Sequence, residues 1–235
     1  LCHVDAAYAE DDPITIDLAQ DQVDITLGFN GAHIRVFGVR ETETEFAIVV
    51  RGPAHPMTVR RKEKALGIWV NRQSMEFNDV PVYYDLALSV PESILAPREI
   101  LVKHRIGLDS LSFEPEDEQD TAKIRTFREA LIRNKQTQGH FPLEAKSITY
   151  LTPKFFRADF YVPPDVPTGD YLIETFLFDA DQLSSKNTTR LQVAQVGFNA
   201  KINVFADYYG LAYGVVAVLM AFMAGGGAYV VMRKR

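Results

Sequence analysis

The chain has 235 residues, 47% of them apolar and 24% charged, which fits one or two globular domains and excludes a largely disordered protein. Its formal net charge is −6, and setting aside Arg233, Lys234 and Arg235 leaves −9 for the remainder, so nucleic acid is a poor partner. There is one cysteine, Cys2.

At the N-terminus, Ala7-Tyr8-Ala9 matches the small-x-small pattern of a signal-peptidase site. Cleavage after Ala9 would start the mature chain at Glu10. Loss of Cys2 with that segment would leave no disulfide, thiol nucleophile or thiolate metal site.

Strand patterns follow. Ile14, Ile16 and Leu18 alternate with polar residues, and Val23, Ile25, Leu27 and Phe29 repeat the period of two. Asn30-Gly31 predicts a tight hairpin turn into a partner strand over 34–39, with a bulge at Gly38 where the alternation slips. Residues 46–50 form a continuous apolar run, the mark of a buried strand, and strands are also expected over 57–61 and 66–71. From 82 to 90 apolar residues alternate up to Pro91, predicting one long strand.

The acidic stretch 114–120 opens a helical pattern in which Ile124, Phe127, Leu131 and Ile132 share a face, with Gly139 as its stop. Strands return over 156–162, 171–178 and 190–196. Pro167-Thr168-Gly169-Asp170-Tyr171 matches the corner before the penultimate strand of an immunoglobulin-like sandwich, where a tyrosine ties the turn down. Phe198, Ile202 and Phe205 have the spacing of a short interfacial helix.

Residues 208–232 carry no charge. As a helix they would reach about 37 Å at ~1.5 Å per residue, enough to cross a hydrocarbon core of about 30 Å. Tyr208 and Tyr209 suit one interface, and the basic triplet after Met232 puts the C-terminus in the cytoplasm. Within the span Gly210, Gly214, Ala217, Ala221 and Gly225 offer small residues for close helix packing.

No phosphate loop, dinucleotide fingerprint, nucleophile elbow or zinc motif is present. His55 and Met57 lack a third copper ligand nearby. Glu114, Glu116, Asp117, Glu118 and Asp120 lack the glycine of a calcium loop. No cofactor or metal is expected. The dense basic cluster Arg60, Arg61, Lys62 and Lys64, followed by Trp69, is the candidate interaction surface for an anion, lipid headgroups or an acidic partner. A charged edge strand that discourages aggregation, with Trp69 filling core, is the structural alternative.

Four blocks carry a family resemblance: Thr58-Val59-Arg60-Arg61-Lys62-Glu63, Gly67-Ile68-Trp69-Val70-Asn71, Glu129-Ala130-Leu131-Ile132-Arg133 and Gly169-Asp170-Tyr171. Through them the chain resembles the alphaproteobacterial putative transmembrane protein family. The resemblance implies an exported β-rich region, one C-terminal span and an accessory role near a sulfite or organosulfonate exporter-like membrane protein. It carries over no catalytic residue.

The expected architecture is mainly β, with immunoglobulin-like antiparallel sandwich lobes, a helical insertion and a C-terminal transmembrane helix. Its parts are a residual signal peptide (1–9), an N-terminal β-sandwich region (10–100), an acidic loop and amphipathic helix (101–140), a C-terminal β-sandwich region (141–197), a juxtamembrane segment (198–207), the span (208–232) and a basic tail (233–235). A non-catalytic, single-pass protein of the bacterial inner membrane follows, with its bulk in the periplasm. Its expected partners are the lipid bilayer and an integral membrane protein or second copy packed on the span. An envelope binding protein for a small anion is the alternative.

Overall fold

A computed structural model of the chain describes residues 13–65, 68–116, 120–196, 214 and 218–223. In chain order the elements are β1 (Ile14–Leu18), β2 (Gln22–Ile25), β3 (Ala32–Arg40), β4 (Glu45–Arg51), β5 (Ala54–Ala65), β6 (Ile68–Pro81), β7 (Tyr84–Leu88), α1 (Glu92–Leu95), α2 (Arg98–His104), α3 (Thr121–Thr137), β8 (Lys146–Ser147), β9 (Thr149–Tyr150), β10 (Phe155–Val162), β11 (Gly169–Asp179) and β12 (Gln182–Gln195). The protein is mainly β.

A four-stranded sheet runs β1-β3-β10-β9, a six-stranded sheet runs β2-β12-β11-β4-β7-β8, and β5 with β6 makes a separate two-stranded ribbon. The long pairings are antiparallel. Strands from before residue 52 and after residue 145 mix in both sheets, so the two predicted β regions build one sandwich.

The two sheets meet through alternating residues. Ile34 and Val36 of β3 and Phe156, Ala158 and Phe160 of β10 are buried on one side, and Phe46, Ile48 and Val50 of β4 on the other. Phe46 and Phe156 cross the gap with ring centroids 4.4 Å apart. The opposite face of the six-stranded sheet is also covered. Ala47, Val49, Tyr84, Leu86, Phe176 and Phe178 share a second core with Val59, Met75, Phe77 and Val80 of the ribbon, and with Leu95, Leu101, Ile106, Phe127 and Leu131 of the helical region. That double cover is why residues 46–50 read as an unbroken apolar run: all five are fully buried.

The helices are set by local chemistry. Asp120 caps α3, its carboxylate accepting from the amides of Ala122 and Lys123 at 3.0 Å. Pro91 and Pro97 immediately precede α1 and α2, which at 4 and 7 residues are too short to show a helical periodicity in sequence. Tyr171 makes the expected corner, donating its hydroxyl to the Pro167 carbonyl at 2.8 Å.

Several expectations need correction. Asn30-Gly31 makes no hairpin: β2 stops at Ile25 and lies beside β12, whereas β3 pairs with β1 and β10. The chain changes sheets there, and Leu27, expected on an inward face, is 91% exposed. Gly38 makes no bulge either, because β3 keeps continuous register with both neighbours. It sits on the core face, where a Cβ would overlap the Phe156 ring, while Phe37 stacks on Phe155 outside. The strand expected over 82–90 is β7 alone, all five residues of which are buried because both sides are covered. β12 begins at Gln182, eight residues before the expected 190. Its polar first half has no hydrophobic signal, and its turn from β11 uses Ala180 and Asp181 at φ 45° and 64° in place of Asn-Gly.

The chain divides into two compact units. The first, residues 1–23 and 29–194, holds the sandwich and its covering layer. The second, 24–28 and 195–235, has a backbone bond from Val196 N–H to the Ile25 carbonyl at 3.0 Å, and residues 218–223 are helical. Among the described residues no helix is long and apolar enough to cross a membrane. The predicted signal segment, juxtamembrane helix and basic tail lie outside the described residues, as does the predicted span apart from Gly214 and 218–223.

Gly38→Ala should lower stability by about 1–3 kcal/mol, the cost of overpacking a filled core. A lower thermal midpoint by circular dichroism of the detergent-solubilised chain checks this. Gly28→Ala, with no atom near its added Cβ, should leave the midpoint unchanged.

Candidate functional site

The ribbon has two unlike halves. Its base is held in the second core by Val59, Met75, Phe77 and Val80, and its β6 edge is bonded to the acidic loop, Asn78 N–H to Glu114 O at 2.8 Å and Glu116 N–H to Glu76 O at 3.0 Å. Beyond Val59, which pairs with Met75, the register runs Arg60 with Ser74, Arg61 with Gln73 and Lys62 with Asn71. That slip leaves Arg72 as an extra residue on β6. Arg60, Arg61 and Lys62 are exposed, and Lys64 pairs with Trp69 across the strands; the side chains of these last two lie outside the description. The sequence reading missed Arg72, which is remote from the basic run and joins it only through pairing. Counting charge on both strands would have found it: residues 60–74 hold five basic residues and one acidic one.

Buried charges elsewhere are committed to holding layers together. Arg51, at the end of β4, pairs with Glu174 of β11, donates to the carbonyls of His104 and Arg105 at 2.7 and 3.0 Å, and lies over the Tyr84 and Phe176 rings. It thereby ties the end of α2 to the sheet. Lys186 also reaches Glu174, at 2.5 Å. Burial lowers the pKa of both Arg51 and Lys186. On the sheet's other face Asp85 pairs with Lys146 and lies 3.0 Å from the Tyr83 hydroxyl, which is 2.8 Å from the Tyr161 carbonyl. Burial raises the Asp85 pKa, and Lys146 opposes that rise.

A cleft of about 800 Å³ opens beside β7, β8, α1 and α3. Its apolar lining includes Leu88, Leu108 and Ile132, and its charged groups are Glu92, Asp109, Glu129 and Glu144 against Arg128 and Lys146. Lys146 is engaged by Asp85, and Arg128 donates to the Asp109 carbonyl at 3.3 Å. Partial burial, then the nearby Asp109, raises the Glu92 pKa. The balance is acidic.

The other sequence candidates do not converge. His55 is exposed and Met57 packs against the core, with a register shift between them. Among the described residues no group of three or more His, Cys, Asp or Glu is placed to hold a metal. Asp117 and Glu118 lie outside the description. Of the small residues in the predicted span, Gly214 and Ala221 are helical, and Gly214 has no atom close to where a Cβ would stand. Gly210, Ala217 and Gly225 are outside the described residues.

A family model described as "Putative transmembrane protein (Alph_Pro_TM)" matches residues 13–234. The chain belongs to this family. No curated protein matches it. Membership identifies a family named for membrane proteins and assigns no reaction.

The Asp85–Lys146 pair gives a pH test. A carboxylate whose pKa is raised on folding weakens the native state once ionised, a cost absent at low pH that grows as pH rises from the unfolded pKa through the folded one. Lys146→Met removes the opposing cation and extends that window upward. The variant should lose about 2 kcal/mol at pH 7, less than the ~3–5 of a fully buried pair because Lys146 is partly exposed. The loss should shrink on approaching pH 4–5. Urea denaturation at both pH values checks it, and an equal loss at each would disconnect Lys146 from the titration of Asp85.

Proposed function

We propose that the chain is a single-pass protein of the bacterial inner membrane, in which residues 208–232 anchor a periplasmic β-sandwich and the C-terminus is cytoplasmic. It acts as a non-catalytic accessory or interaction subunit of a membrane complex. The observation that carries this is the uncharged stretch ended by Arg233, Lys234 and Arg235 in a chain of a transmembrane family.

The immunoglobulin-like reading of the sandwich is supported by β1-β3-β10-β9 facing β12-β11-β4 and by the Tyr171 corner. Such a sandwich is a scaffold, and its function comes from what is grafted on it. Here the graft is the ribbon with its exposed basic end. The resemblance described above makes an exporter-like membrane protein the partner to test first. The small-anion alternative is less well supported, since small ligands need a concavity. The basic cluster lies on an exposed ribbon, and the cleft is rimmed by carboxylates.

Alkaline phosphatase fused after Arg235 should be inactive, and a fluorescent protein that matures only in the cytoplasm should be bright at the same position. The reverse pattern would invert the orientation. Packing of the span is tested separately. Gly214→Leu should reduce recovery of the membrane partner, or of a second tagged copy, in mild detergent by about tenfold, whereas Met220→Leu should not, because only the first change holds two helix backbones apart. Equal recovery would leave the span as an anchor alone.

A further inference from the structure

The cleft of about 800 Å³ beside β7, β8, α1 and α3 is of the size that holds a small organic molecule. Four carboxylates line it from four separate segments: Glu92 of α1, Asp109 after α2, Glu129 of α3 and Glu144 before β8. Glu92, Asp109 and Glu144 form no ion pair among the described residues, and Glu129 has only Arg125 at 4.0 Å. Of the two cations in the lining, Lys146 is balanced by Asp85, which lies outside it. That leaves four negative charges against Arg128 alone, and Arg128 is turned to the Asp109 carbonyl.

Glu92 carries the most weight of the four. It is half-buried, and its carboxylate occupies the space where a Cβ at Gly107 would stand, so the backbone makes room for it there. Among the described residues no side chain gives it a hydrogen bond or an ion pair. Burial and Asp109 raise its pKa, and Arg98 opposes them as the smallest of the three influences. A carboxylate held in this way, beside a second one, favours a cation in the cleft it faces.

The placement of the four selects among cations. Among the described residues no three acidic or histidine groups stand close enough together to hold a metal ion, so the charge is spread around the cleft and not gathered at a point. Leu88, Leu108 and Ile132 share the same lining. Ammonium groups joined by methylenes match carboxylates interspersed with apolar side chains. A basic peptide also bears spaced cations, but the wall has little for its backbone. β7 has β4 on one edge and β8 on the other, and the Leu86 amide donates to the Asp85 carboxylate at 2.9 Å. β8, at the sheet edge, is two residues long, too short to template an added strand.

We propose that this cleft binds a linear polyamine, with Glu92, Asp109, Glu129 and Glu144 meeting its ammonium groups and Leu88, Leu108 and Ile132 its methylenes. The site goes beyond the anchoring role and does not depend on it.

Equilibrium dialysis of radiolabelled spermidine against the full chain in nonionic detergent tests this. At low salt it should show one site per chain, and about 0.5 M salt should weaken binding by screening. Glu144→Gln, at an exposed position, and Glu92→Gln should each weaken it about fivefold to tenfold, the worth of one charge-assisted hydrogen bond. Glu43→Gln, exposed and outside the cleft, should leave it unchanged. Circular dichroism checks that each variant is folded, and Glu144→Gln carries the test alone if Glu92→Gln disturbs the fold. Absence of bound spermidine, or binding untouched by Glu144→Gln, overturns the site. Equal weakening by Glu43→Gln, or displacement by magnesium at the same charge concentration, overturns it in favour of general attraction to an acidic surface. Bound trilysine without bound spermidine overturns the ligand class in favour of a basic peptide.

Discussion

The fold depends on one strand having to be dry on both sides. Phe46, Ala47, Ile48, Val49 and Val50 of β4 are fully buried, which a two-layer sandwich with one wet face cannot provide. The chain meets this constraint by inserting, between β4 and β8, a ribbon and three helices that lie over the second face of the six-stranded sheet. Each buried apolar side chain there contributes roughly 1.5–3 kcal/mol relative to exposure. The insertion is thus part of the core and cannot be treated as an appended decoration.

The same constraint explains where charge is buried. Arg51 follows directly after the dry stretch, and a guanidinium in that position is tolerated only with most of its donors met. Glu174, two α2-end carbonyls and two aromatic faces meet its terminal nitrogens, while Nε is buried without a hydrogen-bond partner. Asp85 has the equivalent problem on the other face and is met by Lys146 and Tyr83. Each of these polar groups is the partner that another one needs. Where the ribbon of the insertion reaches past the core, it exposes the charges of Arg60, Arg61 and Lys62.

How much of this was legible follows from which signals are local. The apolar run of β4, the alternation of β10, the helical face of Ile124, Phe127, Leu131 and Ile132 and the Tyr171 corner depend on neighbours in sequence and are legible there, whereas the Asp120 cap is seen only in the structure. Asn30-Gly31 failed because a turn dipeptide specifies a bend and not the strand that follows as partner; β3 found β1 and β10 instead. Gly38 failed because its lack of a side chain answers a ring contributed from residue 156, far along the chain. Arg60, Arg61 and Lys62 were legible as a cluster, but Arg72 enters only through strand pairing. The Arg51–Glu174 and Asp85–Lys146 ties were illegible, since their partners lie 123 and 61 residues apart.

The ribbon's charges also have a structural role. The base of β6 is bonded to the acidic loop, and along the rest of the ribbon lysine or arginine on an edge deters pairing with another chain. Arg60, Arg61 and Lys62 satisfy that need alone, while the apolar residues of the ribbon's base, Val59, Met75, Phe77 and Val80, fill the second core.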